Sequence, residues 1–164
     1  CSSDLRMVGD KTASLFSASC EIGAIISNAS IEKQKAMSNF GEKLGVAFQI
    51  RDDLFDIMGT VDAIGKPVAF DVKKNMLTLP LIHMFEKVDN NEKKLLQQKL
   101  RHYTSKKDIF VIRKLIESHG GIQYATEQME RISQEAIDEL TIFPDSEYKD
   151  ALIAAVQFNL GRES

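Results

Sequence analysis

Gly41-Glu42-Lys43-Leu44-Gly45-Val46-Ala47-Phe48-Gln49-Ile50-Arg51-Asp52-Asp53-Leu54-Phe55-Asp56 is the stretch from which both fold and chemistry are read. Asp52 and Asp56 are four positions apart, and Asp53 and Asp56 are three apart. Helical spacing therefore brings all three carboxylates toward one side. Three or four residues further back stand Gln49, then Gly45 and Gly41, so the acidic edge continues as a polar and then a side-chain-free stripe. Leu44, Phe48 and Phe55 flank it on one side, and Ile50, Leu54 and Ile57 on the other. A helix that is apolar on both flanks is buried or lines a cavity.

The same helical period runs outward in both directions, and sustained period-2 alternation is absent. The pattern predicts helices over about residues 3–28, 31–58, 78–88, 92–102, 106–119, 122–140 and 145–160. On the first, Leu5, Val8, Leu15, Ile22 and Ile26 are expected on or near the apolar side. Thr78 is read as an N-cap with Pro80 in the first turn, where proline is tolerated. Gly120-Gly121 reads as a helix stop, and Pro144-Asp145 as the opening of the last helix. Residues 59–75, with Gly59, Gly65 and Pro67, read as one long ordered loop. The fold class expected is an all-α bundle.

Composition narrows the function. At 164 residues the chain fits one domain, and with 43% apolar residues it can bury a core. A net charge of -3 argues against a nucleic-acid binder, which needs a basic face. No run of about 18 apolar residues occurs, so no stable membrane insertion is expected. Cys1 and Cys20 have no ligand spacing and read as ordinary thiols. His83, His102 and His119 likewise read as surface or helix-end residues.

Three carboxylates crowded beside apolar flanks repel one another and need protons, cationic side chains or metal to compensate. Hard oxygen ligands suit magnesium, which takes one or two carboxylates and fills its shell with water and substrate phosphates. An acidic edge left in solvent near a helix end is the plainer alternative. A di-iron bundle is a poor rival, because its Glu-x-x-His pattern is absent. A bound diphosphate would also call for cations, and Lys11 in the first helix and Lys66 in the long loop are candidates. Each is equally readable as a solvated surface lysine. Asp71, Lys73, Lys74 and Asn75 close the same loop and read as a solvated run.

Taken in order, these residues resemble the trans-isoprenyl diphosphate synthases, or polyprenyl synthases. Lys11-Thr12-Ala13 is similar to the family's Lys-Thr motif. Phe48-Gln49 followed by Asp52-Asp53-Leu54-Phe55-Asp56 resembles its second aspartate-rich motif, Asp-Asp-x-x-Asp. Gly65-Lys66-Pro67, Asp71 and Thr78-Leu79-Pro80-Leu81 resemble the stretch that follows. The likeness covers about residues 4–85. It implies a helical bundle of the isoprenoid synthase type and condensation of an allylic diphosphate with isopentenyl diphosphate. It implies magnesium on Asp52, Asp53 and Asp56, and diphosphate on Lys11 and Lys66. Thr12 and Gln49 would turn oxygen dipoles toward an allylic carbocation, with Lys11, Thr12 and Gln49 as the catalytic set. It further implies a cytoplasmic homodimer in the full-length protein.

Asp-Asp-x-x-Asp occurs once, whereas the family carries an earlier copy upstream. The resemblance therefore implies that residues 1–164 are the C-terminal part of a single isoprenoid synthase domain, with N-terminal helices missing. The isopentenyl diphosphate site lies mostly upstream as well, so the 164 residues alone are expected to be inactive. Product chain length is not legible. A terpene cyclase-like lyase, a non-catalytic partner subunit of a prenyl synthase, and a plain helical bundle with an acidic edge are the competing readings.

Overall fold

The computed structural model describes residues 2–58, 78–101 and 106–161, and for residues 2–11 and a few positions on later helices it describes the backbone alone. The expected loop over residues 59–75, with Lys66, lies outside the described residues. Every regular element described is helical: α1 Ser2–Ile26, α2 Ile31–Met58, α3 Leu79–Lys87, α4 Asn90–Arg101, α5 Lys106–Ser118, α6 Gly121–Glu139, a 3₁₀ turn Leu140–Ile142, and α7 Glu147–Gly161. Among the described residues no helix is long and apolar enough to cross a membrane.

The helix ends follow from local chemistry. Asn28 takes a φ of 53° just past α1. Its N–H donates to the carbonyl of Ile25 at 2.9 Å, and that of Ala29 to Ala24 at 3.1 Å. This is a Schellman ending with asparagine in the left-handed position that few other side chains accept. Ser30 then caps α2, accepting from the Lys33 N–H at 3.4 Å. Gly120, at a φ of 72°, ends α5 in the same left-handed way.

Three terminal details differ from the sequence reading. Helix α4 starts at Asn90 rather than at residue 92, because Asp89 Oδ1 accepts from the N–H groups of Asn91 at 2.7 Å and Glu92 at 2.8 Å. Glu92 reaches back to the Asp89 N–H at 3.3 Å, completing a capping box. Helix α7 opens at Glu147, with Ser146 accepting from the Lys149 N–H at 3.2 Å. Thr78 occupies the N-cap position of α3, yet its side chain makes no capping hydrogen bond.

The described residues pack as two compact units, residues 1–51 with 128–163, and residues 52–127. In the first, Phe40, Ala136, Leu140 and Val156 form a buried cluster, with Met37, Leu44, Ile137, Phe143, Leu152 and Ile153 packed against it. In the second, Ile57 clusters with Leu81, Met84, Val88, Leu96, Ile112 and Ile116. Both clusters draw on the 3.6-residue repeat that the sequence displays.

The expected apolar side of α1 is corrected. Leu15, Ile22 and Ile26 are 66%, 56% and 75% exposed, whereas Ala13 and Ala24 are buried. The helix turns its small residues inward because α2 comes too close for bulky ones. The side chains of Leu5 and Val8 lie outside the described residues.

One ion pair ties α2 to α6 within the first unit. Lys43 Nζ donates to Glu139 Oε1 at 2.5 Å, and Asn39 Nδ2 donates to Glu139 Oε2 at 3.2 Å. Burial works against the charge of Glu139, but the hydrogen bonds from Lys43 and Asn39 and the nearby lysine charges outweigh it, so the carboxyl titrates below its ordinary value of 4.5. A depressed folded-state value means that the pair stabilises the fold fully above the unfolded value, and that this contribution is lost as pH falls through the folded one. Urea unfolding between about pH 6 and pH 3 should therefore show an acid-side loss of stability that Glu139→Gln reduces. An unchanged slope in the variant would contradict this assignment.

Candidate functional site

The close packing of α1 on α2 positions Thr12 and Gln49. A Cβ placed on Gly45 would lie 2.6 Å from the Cα of Ala13, and one on Gly41 would lie 2.5 Å from the carbonyl oxygen of Phe16. Only glycine permits such contact with backbone. The stripe read as side-chain-free is thus the surface on which α1 rests.

That contact brings Thr12 to Gln49. The Thr12 hydroxyl donates to Gln49 Oε1 at 3.1 Å, between two half-buried side chains 37 positions apart in the chain. Phe16 and Phe48, one turn on and one residue back from this pair, stack at a ring separation of 5.8 Å with an interplanar angle of 32°. Further along the seam, the Ser17 hydroxyl donates to the Ser38 carbonyl at 3.0 Å. The Ser38 hydroxyl donates to Glu21 Oε2 at 3.1 Å.

The carboxylates follow on the next turn of α2. Asp52 is exposed, Asp56 is half-buried, and Asp53 is 4% exposed. Ile50 and Ala47 are fully buried, and Leu54 and Ile57 nearly so, whereas Leu44, Phe48 and Phe55 are half-buried. The helix is therefore apolar on both flanks, as the spacing predicts. Among the described residues no three His, Cys, Asp or Glu side chains come together closely enough to hold a metal by themselves. The three aspartates are thus not a ready-made cage.

This donor set still fits magnesium. Asp52 and Asp56 are oxygen donors one turn apart with access to solvent, and magnesium takes one or two carboxylates while leaving the rest of its shell to water and phosphate. Lys11 lies on α1 next to Thr12, with its side chain outside the described residues, and Lys66 is wholly outside them. Of the site residues expected from sequence, Thr12 and Gln49 are in contact, and the three aspartates share one segment of helix. The role of Gly45 and Gly41 as a packing surface was missed. Its only trace in sequence is the four-residue spacing of the two glycines, matched by small residues Ala13 and Ser17 on α1.

Residues 3–118 match the model of the polyprenyl synthetase family. The chain belongs to that family. An octaprenyl diphosphate synthase of Haemophilus influenzae is 30% identical to this family member over 96% of the chain and 48% of its own length. A geranylgeranyl diphosphate synthase of Saccharolobus solfataricus is 33% identical, again over 96% of the chain and 48% of the relative. A crystal structure of a Caulobacter crescentus polyprenyl synthase, complexed with calcium and isoprenyl diphosphate, superimposes with a TM-score of 0.89 at 27% identity. It covers 98% of this chain and 49% of that one. The polyprenyl synthetase match thus spans about half the length of the curated relatives, and that half is their C-terminal one. The all-α isoprenoid synthase fold expected from the motifs is the fold found.

Burial separates what the neighbouring aspartates do for stability. Asp53→Ala should cost about 1–3 kcal/mol, since it strips partners of a buried polar group. Asp52→Asn, at an exposed position, should cost less than about 1 kcal/mol. Paired urea titrations compare them, and equal losses would contradict the division.

Proposed function

We propose that this chain is the C-terminal part of a prenyltransferase domain that condenses an allylic diphosphate with isopentenyl diphosphate. The observation that carries the reading is the hydrogen bond from Thr12 to Gln49. It joins the Lys11-Thr12 segment of α1 to the helix whose next turn bears Asp52, Asp53 and Asp56. The named relatives are prenyl and polyprenyl diphosphate synthases, which supports synthase chemistry over a cyclase.

In this reading Asp52, Asp53 and Asp56 hold magnesium ions, with Asp52 the principal ligand. Magnesium, when bound, supplies Lewis-acid stabilisation of a departing diphosphate. The calcium and isoprenyl diphosphate of the Caulobacter relative support this ligand class. Lys11 and Lys66 donate to diphosphate oxygens and offset charge that the metal leaves. The allylic carbon–oxygen bond breaks, and the electron pair leaves with the diphosphate. The double bond of isopentenyl diphosphate then forms the new carbon–carbon bond to the allylic cation, and transfer of a proton to the departed diphosphate restores an alkene. Thr12 has spent its proton on Gln49, so its oxygen lone pairs face outward and stabilise positive charge nearby. Phe16 and Phe48 keep water from the cation.

The full-length enzyme is further proposed to be a cytoplasmic homodimer, as the family resemblance implies. Its sequence reading as one domain, of which residues 1–164 form the C-terminal part, belongs to the same proposal.

Asp52→Ala in the full-length enzyme should lower turnover by about two to three orders of magnitude, the scale on which loss of charge stabilisation is felt. Near-normal turnover with an intact fold would remove Asp52 from the metal site. In a melting scan, magnesium with inorganic diphosphate should raise the transition temperature by more than the sum of the separate shifts, because each ligand completes the other's site. Additive shifts would contradict a shared site.

A further inference from the structure

We propose that Gly45 is a positioning residue for the reaction, acting through the Thr12–Gln49 pair; this rests on the role given to that pair above. Packed helices normally stand about 8–10 Å apart, separated by their side chains. At Gly45 that separation has no side chain on the α2 side. A Cβ there would meet the Cα of Ala13 at 2.6 Å and its nitrogen at 3.2 Å. Both are backbone atoms, which no change of rotamer moves aside. A methyl group at this position therefore has to push the helices apart.

The direction of that push is set by what holds the seam elsewhere. At the other end Ser17 is bonded to Ser38, and Ser38 to Glu21. Beyond Gly45, the Thr12–Gln49 hydrogen bond links the two helices. Ala13 is the neighbour of Thr12, and Gln49 is one turn after Gly45 on the same face. The bond measures 3.1 Å, just beyond the usual range for hydroxyl donors, roughly 2.5–3.0 Å. Helix separation therefore weakens a bond that is already long. Gly41 makes an equally tight contact, with Phe16 O at 2.5 Å and Ser17 Cα at 2.8 Å, but beside the serine end of the seam. The two glycines thus serve different ends: Gly41 the packing, Gly45 the placement of the pair.

A double-mutant cycle on the full-length enzyme tests this, with kcat, KM and urea stability measured for Gly45→Ala, Thr12→Val, the double variant, and Gly41→Ala. The expected result is that Gly45→Ala lowers kcat about tenfold or more, as misplacement by a fraction of an ångström does, with a smaller change in KM. The double variant should then fall within about twofold of Thr12→Val alone, because the pair is already broken. Gly41→Ala should lose stability while keeping more of kcat than Gly45→Ala. If Gly45→Ala does not fold, Ala13→Ser, which adds one atom to the opposite wall, takes its place in the same cycle. Losses that multiply in the double variant, or a Gly45→Ala enzyme with normal kcat, would overturn the positioning role while leaving the Thr12 site intact. A Thr12→Val enzyme with normal kcat would instead remove the site reading on which the inference stands, and the inference with it.

Discussion

The backbone of α1 touches the backbone of α2 at Ala13 and Gly45, and most of what is distinctive in the first unit depends on that contact. It decides which face of α1 is inside. Small residues are buried there, and Leu15, Ile22 and Ile26 are turned outward. It also decides how far apart the two polar side chains above it can stand. Thr12 and Gln49 meet at hydrogen-bond distance only because nothing larger than hydrogen occupies position 45. The packing constraint and the polar pair are one feature seen at two levels.

The acidic turn of α2 works differently. Asp53 is buried in the helix that also contributes Ile57 to the core of the second unit, while Asp52 is exposed to solvent. A buried carboxylate costs more to leave uncompensated than one that water also reaches. Mutual repulsion of the carboxylates favours cation binding for the same reason that it disfavours a dry, metal-free cluster.

Several helix boundaries set by a local side chain were legible. Asn28 and Ser30 punctuate α1 and α2, and Gly120 ends α5, as the residue types suggest. The start of α4 was misjudged because Asp89-Asn90-Asn91 reads as a breaker, while Asp89 in fact caps the helix. The apolar side of α1 was misjudged for a deeper reason. Periodicity locates large apolar residues, but close helix contacts are made by small ones, which carry little hydropathy signal. The acidic motif itself was legible down to the residue. Its division into buried Asp53 and exposed Asp52 was not, because helical spacing cannot say how deep each side of a helix lies.

The central proposal is that divalent cations join the acidic turn of α2 to a diphosphate that Lys11 also holds. Diffraction from crystals of the full-length enzyme grown with manganese and inorganic diphosphate, recorded at the manganese absorption edge, tests it most directly. The account predicts anomalous density bonded to an oxygen of Asp52, shared with diphosphate oxygens that accept from Lys11. Manganese absent from Asp52 and Asp56, or diphosphate held away from Lys11, would contradict it.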